Sequence, residues 1–154
     1  MLKLSVFYLT IILLFFSCTD STTITENSSS TTGGSSSHFI SLDFGSYTNT
    51  SVDIIINTSE DISGFQFTIL GPDITGYDGG FSDQYGFSIA NNSETGIIIG
   101  YSLSGSVIPS GSNGVLTTLF FENQNSNVCL DNVIFSDPNA MALDVNFIGD
   151  CIEY

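Results

Sequence analysis

The chain has 154 residues, of which 16 are Asp or Glu and one is Lys or Arg, so its formal charge is −15. Binding to nucleic-acid phosphates or anionic lipid headgroups requires clustered Lys or Arg, and the single basic residue, Lys3, cannot supply it. Binding to nucleic acid, binding to anionic lipid and Arg-based recognition of carboxylates are therefore excluded. The content of apolar residues, 42% with 13 Phe among them, is enough to fill the core of one domain.

Residues 1–17 have the pattern of a lipoprotein-type signal peptide. Lys3 supplies a minimal positive region, and an apolar stretch of 13 residues runs from Leu4 to Phe16, interrupted only by Ser5 and Thr10. A membrane-spanning helix needs about 20 apolar residues, so this shorter stretch suits a cleaved leader.

Cys18 directly follows Phe16 and Ser17, at the place of the lipidated Cys in the lipobox of bacterial lipoproteins, which this segment resembles. The resemblance implies that the mature protein is exported and lipid-anchored to a bacterial membrane, at the outer membrane or the cell surface. The alternative is an ordinary secretory leader with an incidental Cys.

Residues 18–37 are predicted to be a flexible tether. Of positions 19–37, 13 are Ser or Thr, and Ile24 is the one large apolar residue among them. Such a segment buries too little apolar surface to offset the entropy lost on ordering, so it should stay flexible.

Residues 38–154 are predicted to fold into an all-β domain. Short runs of β-branched and aromatic residues alternate with turn residues, and Phe65, Phe67 and Ile69 recur with the period of a half-buried strand. The pattern predicts no helix of useful length and nine strands, near residues 39–44, 51–57, 62–70, 73–77, 86–91, 95–103, 114–122, 128–136 and 143–152. Many short, closely spaced strands favour a β-sandwich or jelly roll.

Cys129 and Cys151 are predicted to form a disulfide, because an even pair in an exported domain indicates one. If strands 128–136 and 143–152 are antiparallel around the turn at 137–139, residues whose numbers sum to about 280 lie level, as these two do. Cys151 shares parity with Leu143 and should point inward. A two-Cys metal site is disfavoured, because other Cys or His ligands are lacking.

Three segments of this domain resemble the strands of a cohesin domain. They are the early pair 52–57 and 62–69 with its Gly64-Phe65-Gln66-Phe67 motif, the later strand 114–121, and the closing segment 130–145. The segments keep the order of the family and cover residues from about 39 to 154. The resemblance implies a nine-stranded jelly-roll β-sandwich, related in fold to some cellulose-binding modules.

The same resemblance implies a binding function. Cohesins bind a calcium-loaded dockerin and so assemble protein complexes, which predicts a non-catalytic module that docks a dockerin-like partner. The residues that select a dockerin vary and cannot be assigned from the motifs. Two alternatives stay open: a carbohydrate-binding or adhesion module that recognises polysaccharide, and a structural envelope lipoprotein without a discrete ligand.

The sequence offers little for catalysis or for a cofactor. His38 is the one His and lies at the junction of tether and domain, where an exposed linker residue is expected, so we predict that the protein is not an enzyme. Acidic side chains without basic counterions favour calcium as a possible bound ion, although no EF-hand motif is present. The loop carboxylates that are candidate calcium ligands are Glu60, Asp61, Asp78, Asp83 and Asp137.

The loop from Gly76 to Phe87 is the candidate ligand site. Aromatic faces stack on sugar rings, and carboxylates accept hydrogen bonds from sugar hydroxyls. The candidate ligand-binding residues are Tyr77, Asp78, Phe81, Asp83 and Tyr85. The alternative is that these residues close the open end of the sandwich, and Phe87 is expected to be buried.

Overall fold

A computed structural model of the protein describes residues 38–122 and 126–153. These residues form β1 (Ile40–Thr48), β2 (Ser51–Thr58), β3 (Gly64–Leu70), β4 (Ile74–Asp78), α1 (Gly80–Gln84), β5 (Ser88–Asn92), β6 (Ile97–Tyr101), β7 (Asn113–Phe121), β8 (Cys129–Ser136), β9 (Ala142–Leu143) and β10 (Phe147–Ile148). The predicted signal peptide, the lipidated Cys18 and the tether lie outside the described residues and stay predictions. Within the described ranges, no helix has the length and apolar character needed to cross a membrane.

Two five-stranded sheets share one apolar core. The first sheet has the strand order β10-β1-β2-β7-β4, and the second has the order β5-β6-β3-β8-β9. Neighbouring strands are antiparallel, apart from the parallel pair β1 and β10. The all-β sandwich predicted from the strand and turn pattern is therefore confirmed.

The predicted strand 143–152 is two short strands on different sheets. β9 pairs with β8 on the second sheet, and β10 pairs with β1 on the first. Asn146 fixes the crossing between them: its N–H donates to the carbonyl of Ile40 at 2.8 Å, and its Oδ1 accepts from the N–H of Ile40 at 2.9 Å. Alternating hydrophobicity did not reveal the change of sheet, because both sheets bury their inner side chains in the same core.

The centre of the core is aromatic. The ring of Phe65 lies 5.9 Å from that of Phe67, 6.0 Å from that of Phe87 and 6.4 Å from that of Phe135, measured between centroids. All four side chains are buried, as predicted for Phe87. Each buried side chain of this size contributes about 1.5–3 kcal/mol through loss of contact with water.

Gly100 makes room for this aromatic cluster. It lies opposite Phe65 in the pairing of β3 with β6, and a Cβ placed on it would be 2.0 Å from the Phe65 Cζ. A β-branched or aromatic residue would suit a strand better than Gly does. The ring therefore occupies the space that a side chain at position 100 would need.

The predicted disulfide between Cys129 and Cys151 is present. The neighbouring residues Val128 and Ile152 form an antiparallel bridge, so the predicted register is correct at this end of the sandwich. The expectation that Cys151 points inward is wrong: Cys151 is exposed, and Ile152 is the buried residue. The parity argument fails because the chain leaves the second sheet after Leu143 and returns to β8 by this single bridge.

Candidate functional site

The outer face of the second sheet carries an uncharged row of side chains that is apolar apart from Gln66. The pairing of its strands places Ala90, Ile99, Gln66 and Ile134 side by side across β5, β6, β3 and β8. The exposed fractions of Ile99 and Ile134 are 39% and 49%. Strand pairing thus assembles an apolar strip from four separate segments of the chain.

The next row of this face contains a shallow depression. Tyr101 and Ser136 flank Gly64, which has no side chain to fill the space between them. The depression has a volume of about 260 Å³ and is bordered by Tyr101, Ile99 and Ile134. Tyr101 is 41% exposed, so it offers both an apolar ring and a free edge to a partner. We call the set of Ala90, Ile99, Tyr101 and Ile134, together with Gln66 between the two Ile side chains, the apolar face.

Charge separates this face from the outer face of the first sheet. Asp131, level with Thr68, is the only charged residue among the outward strand positions of β5, β6, β3, β8 and β9, all of which the structure describes. The corresponding positions of the first sheet carry Asp43, Asp53 and Asp78. Large exposed apolar patches with few charges are typical of protein-interaction sites.

A short loop displays another apolar side chain beside this face. Leu103, two residues after Tyr101, is 86% exposed. The Oγ atoms of Ser102 and Ser104 lie 3.0 Å apart, those of Ser104 and Ser106 lie 2.9 Å apart, and the N–H of Ser106 donates to the Oγ of Ser102 at 3.0 Å. These hydrogen bonds order the loop that carries Leu103.

The sequence predictions did not identify the apolar face. The available signal was the run Ile97-Ile98-Ile99, since in a strand with one solvated face apolar residues alternate with polar ones. Ile98 is fully buried in the core, which leaves the side chains of Ile97 and Ile99 on the outside. Such a run indicates a strand that is apolar on both faces.

The predicted ligand residues of the loop 76–87 fall into two groups. Tyr77, Asp78 and Asp83 line one cleft of about 90 Å³. Phe81 and Tyr85 instead pack against the core, with their ring centroids 6.1 Å apart. The structure thus brings three of the five residues together and gives the other two a packing role.

The phenol of Tyr77 links the two sheets at their edge. Its Oη donates a hydrogen bond of 2.6 Å to the carbonyl of Ile89 in β5, while Tyr77 itself belongs to β4 of the first sheet. The side-chain amide of Asn91 donates to the carbonyl of Ile74 at 3.3 Å across the same gap. These bonds cover backbone groups of edge strands, which would otherwise be free to pair with another chain.

The helix α1, which the sequence did not predict, positions the cleft. Ser82 is buried and its Oγ donates to the carbonyl of Leu116 at 2.7 Å. Gly80 has φ of +71°, and a Cβ there would be 2.6 Å from the same carbonyl oxygen. Five residues are too few for a helical period to be recognised, so tertiary contacts with β7 define this helix.

The candidate calcium ligands Glu60, Asp61 and Asp137 border one open groove, together with Ser110 and Asn139. Asp61 Oδ1 accepts from the N–H of Ser110 at 2.8 Å, so one of its oxygens already serves the loop. In the part of the chain that the structure describes, no three His, Cys, Asp or Glu side chains converge in a way that could hold a metal ion. Calcium binding stays a prediction without an assigned site.

Asp137 organises the turn between β8 and β9. Its Oδ1 accepts from the N–H of Met141 at 2.7 Å and from the N–H of Asn139 at 2.9 Å, and its Oδ2 accepts from the Asn139 side chain at 3.1 Å. These bonds, that of Met141 foremost, hold the pKa of the carboxyl below its ordinary value of 3.8. This geometry supports a structural role for Asp137, in which its carboxylate holds the turn between β8 and β9 in place.

His38 lies where the predicted tether meets the domain. Its Nδ1 is 2.5 Å from Glu60 Oε1, and its side chain is 72% exposed. The exposure agrees with the expected linker position.

The sequence matches no protein-family model and no curated protein. Among solved structures, similar chains include a non-cellulosomal cohesin from the hyperthermophilic archaeon Archaeoglobus fulgidus, with 17% identity over 73% of this chain and 87% of that one, at a TM-score of 0.52. The sixth cohesin from scaffoldin B of Acetivibrio cellulolyticus, in complex with a Cel5 dockerin mutant, has 18% identity over 75% and 97% of the two chains and a TM-score of 0.52. A chain of the CaDoc0917–CaCohA2 complex has 17% identity over 73% and 95%, with a TM-score of 0.50.

At these identities the likeness shows the fold. The described domain has a cohesin-like β-sandwich fold, which confirms the fold that the three sequence segments predicted. The likeness also extends over nearly the whole length of the scaffoldin cohesin, so it concerns the complete sandwich.

Proposed function

We propose that this protein is a non-catalytic, cohesin-like docking module outside the cytoplasm, and that it binds a dockerin-type protein partner through the apolar face of its second sheet. The observation that carries the proposal is the apolar face itself, in which Ile99 and Ile134 lie on either side of Gln66, Tyr101 lies in the next row, and Ile99, Tyr101 and Ile134 are all exposed on a nearly uncharged sheet. Interface centres in proteins are apolar and depleted of charge in the same way.

The comparisons support the nature of the partner. The similar scaffoldin cohesin was crystallised in complex with a dockerin, and the sandwich of this chain has the same fold. The non-catalytic part of the proposal rests on the same likeness. The proposed location rests on the leader and on Cys18, with residues 18–37 as the tether that holds the module away from the membrane.

Binding to dockerin modules encoded in the same genome tests the proposal. We expect calcium-dependent binding that is lost on chelation, since the calcium belongs to the dockerin. Tyr101→Ala should weaken it by at least about 30-fold, the effect of a central aromatic anchor worth about 2 kcal/mol.

Phe120→Ala is the matched control, because Phe120 is an aromatic residue of nearly equal exposure, 40%, on the outer face of the first sheet. It should leave the affinity unchanged. Equal loss of binding in the two variants would contradict the proposed location of the site.

A carbohydrate-binding function is the second candidate, favoured by the cleft that joins Tyr77, Asp78 and Asp83. It predicts binding to insoluble polysaccharide or to a glycan array that is lost in Tyr77→Ala and Asp83→Ala, the two variants that remove cleft side chains. An array without signal would count against it. A structural envelope lipoprotein would bind neither dockerins nor glycans.

A further inference from the structure

One border of the apolar face is acidic. Asp131 lies on the same side of the sheet, level with Thr68, and Glu94 lies in the turn between β5 and β6, at the same end of the strands. The described residues contain every Asp and Glu of the chain except Asp20 and Glu26. They contain no Lys or Arg, so none compensates the negative charge of this border.

The border lies close enough to act on a bound partner. Asp131 is level with Thr68, two residues along β3 from Gln66, which places it about 7 Å from the central row of the face at the usual rise of a strand. The Debye length at physiological ionic strength is about 8 Å. A partner that covers the apolar face thus meets negative charge at its rim that salt screens only in part.

When the rim of a partner carries charge opposite to that of this rim, association is faster and the partner is selected over others. When both rims carry charge of the same sign, association is opposed. We propose that the partner of this face is a protein surface with an apolar centre bordered by Lys or Arg. This inference rests on the proposed docking function and specifies the chemistry of the docked surface.

Four amphipathic helical peptides of equal length test this chemistry. Three share one apolar strip, bordered by Lys, by Gln or by Glu, and the fourth keeps the Lys residues but has Ser in place of the strip. Each is titrated into the ¹⁵N-labelled protein, which reports both affinity and the location of the shifted amides.

We expect the Lys-bordered peptide to shift amides of β3, β6 and β8, with at least about tenfold higher affinity than the Gln-bordered one at low salt. The ratio should fall towards one near 1 M salt, where the Debye length is about 3 Å. The paired change Asp131→Asn with Glu94→Gln should reduce the ratio. Asp43→Asn with Asp53→Asn, an equal change of charge on the first sheet, should not.

Three results would overturn the inference. The first is equal affinity for the Lys-bordered and Gln-bordered peptides, and the second is equal affinity for the Lys-bordered peptides with and without the apolar strip. The third is a set of shifted amides on the first sheet. A dockerin that docks here through a border without Lys or Arg would also overturn it, while the proposed function would stand. Conversely, Lys-selective peptide binding without any dockerin partner would contradict the proposed function alone.

Discussion

Replacing Gly100 by Ala places one methyl group where the Phe65 ring lies. The added Cβ would be 2.0 Å from Cζ, 2.3 Å from Cε1 and 2.5 Å from Cε2 of that ring. Carbon atoms pack favourably at about 3.5–4.0 Å, so the ring must move by more than 1 Å or the strands must separate. The rings of Phe67, Phe87 and Phe135 lie within 6.4 Å of the Phe65 ring, so this movement disturbs the packing of the aromatic cluster.

Overpacking of this kind costs about 1–3 kcal/mol. The lower chain entropy of Ala in the unfolded state offsets up to about 1 kcal/mol of that cost, and Gly100 does not have a φ that disfavours Ala. We therefore expect Gly100→Ala to lower the free energy of unfolding by about 1–2 kcal/mol, measured from the urea midpoint at constant m-value.

Two further variants make the reasoning testable. Gly76→Ala is a matched control in a strand, since its Cβ would meet only the Phe120 ring at 3.7 Å, an ordinary contact; it should be neutral or slightly stabilising. Phe65→Leu should remove most of the penalty of Gly100→Ala, so the double variant should be more stable than the sum of the single effects predicts. Additive effects, or a neutral Gly100→Ala, would refute the packing argument.

Three other predictions concern stability. Removing the disulfide with Cys129→Ser and Cys151→Ser should lower the free energy of unfolding by about 3 kcal/mol, as expected for a sequence separation of 22, and equal urea midpoints would contradict this. Tyr77→Phe removes the hydrogen bond to Ile89 and should lower the free energy of unfolding by about 0.5–1.5 kcal/mol, with an unchanged melting curve as the contrary result. The hydrogen bonds that lower the pKa of Asp137 stabilise the folded protein at pH values above the ordinary pKa of 3.8, and this stabilisation is lost as the pH falls through the lowered pKa. The difference in free energy of unfolding between the wild type and Asp137→Ala should therefore be unchanged near neutral pH and shrink in that acidic range.

The sequence was sufficient to predict the sandwich and the disulfide. Strand alternation at Phe65 and Phe67 gives the inner face directly, and both side chains are buried. The pairing of Cys129 with Cys151 was predicted from the turn at 137–139, and the bridge between Val128 and Ile152 keeps that register although β9 and β10 belong to different sheets. These features depend on local periodicity and on one turn, which are properties of contiguous sequence.

The apolar face could not be predicted in the same way, because its residues come from four strands. Gln66, Ile99 and Ile134 are far apart in the chain, and only the pairing of β3 with β6 and β8 makes them neighbours. The candidate residues chosen from the sequence, such as Tyr77 and Tyr85, were instead close together in one loop. A loop site can be recognised from contiguous sequence, whereas a sheet face requires the strand order.

A hydrogen-exchange footprint of the protein bound to a calcium-loaded dockerin locates the docking site on the domain. We expect slower exchange of amides in β3, β6 and β8, around Gln66, Ile99 and Ile134, with β1 and β2 unaffected. Protection on the first sheet instead, or no binding of any dockerin encoded in the same genome, would contradict the claim that this apolar face is a docking site.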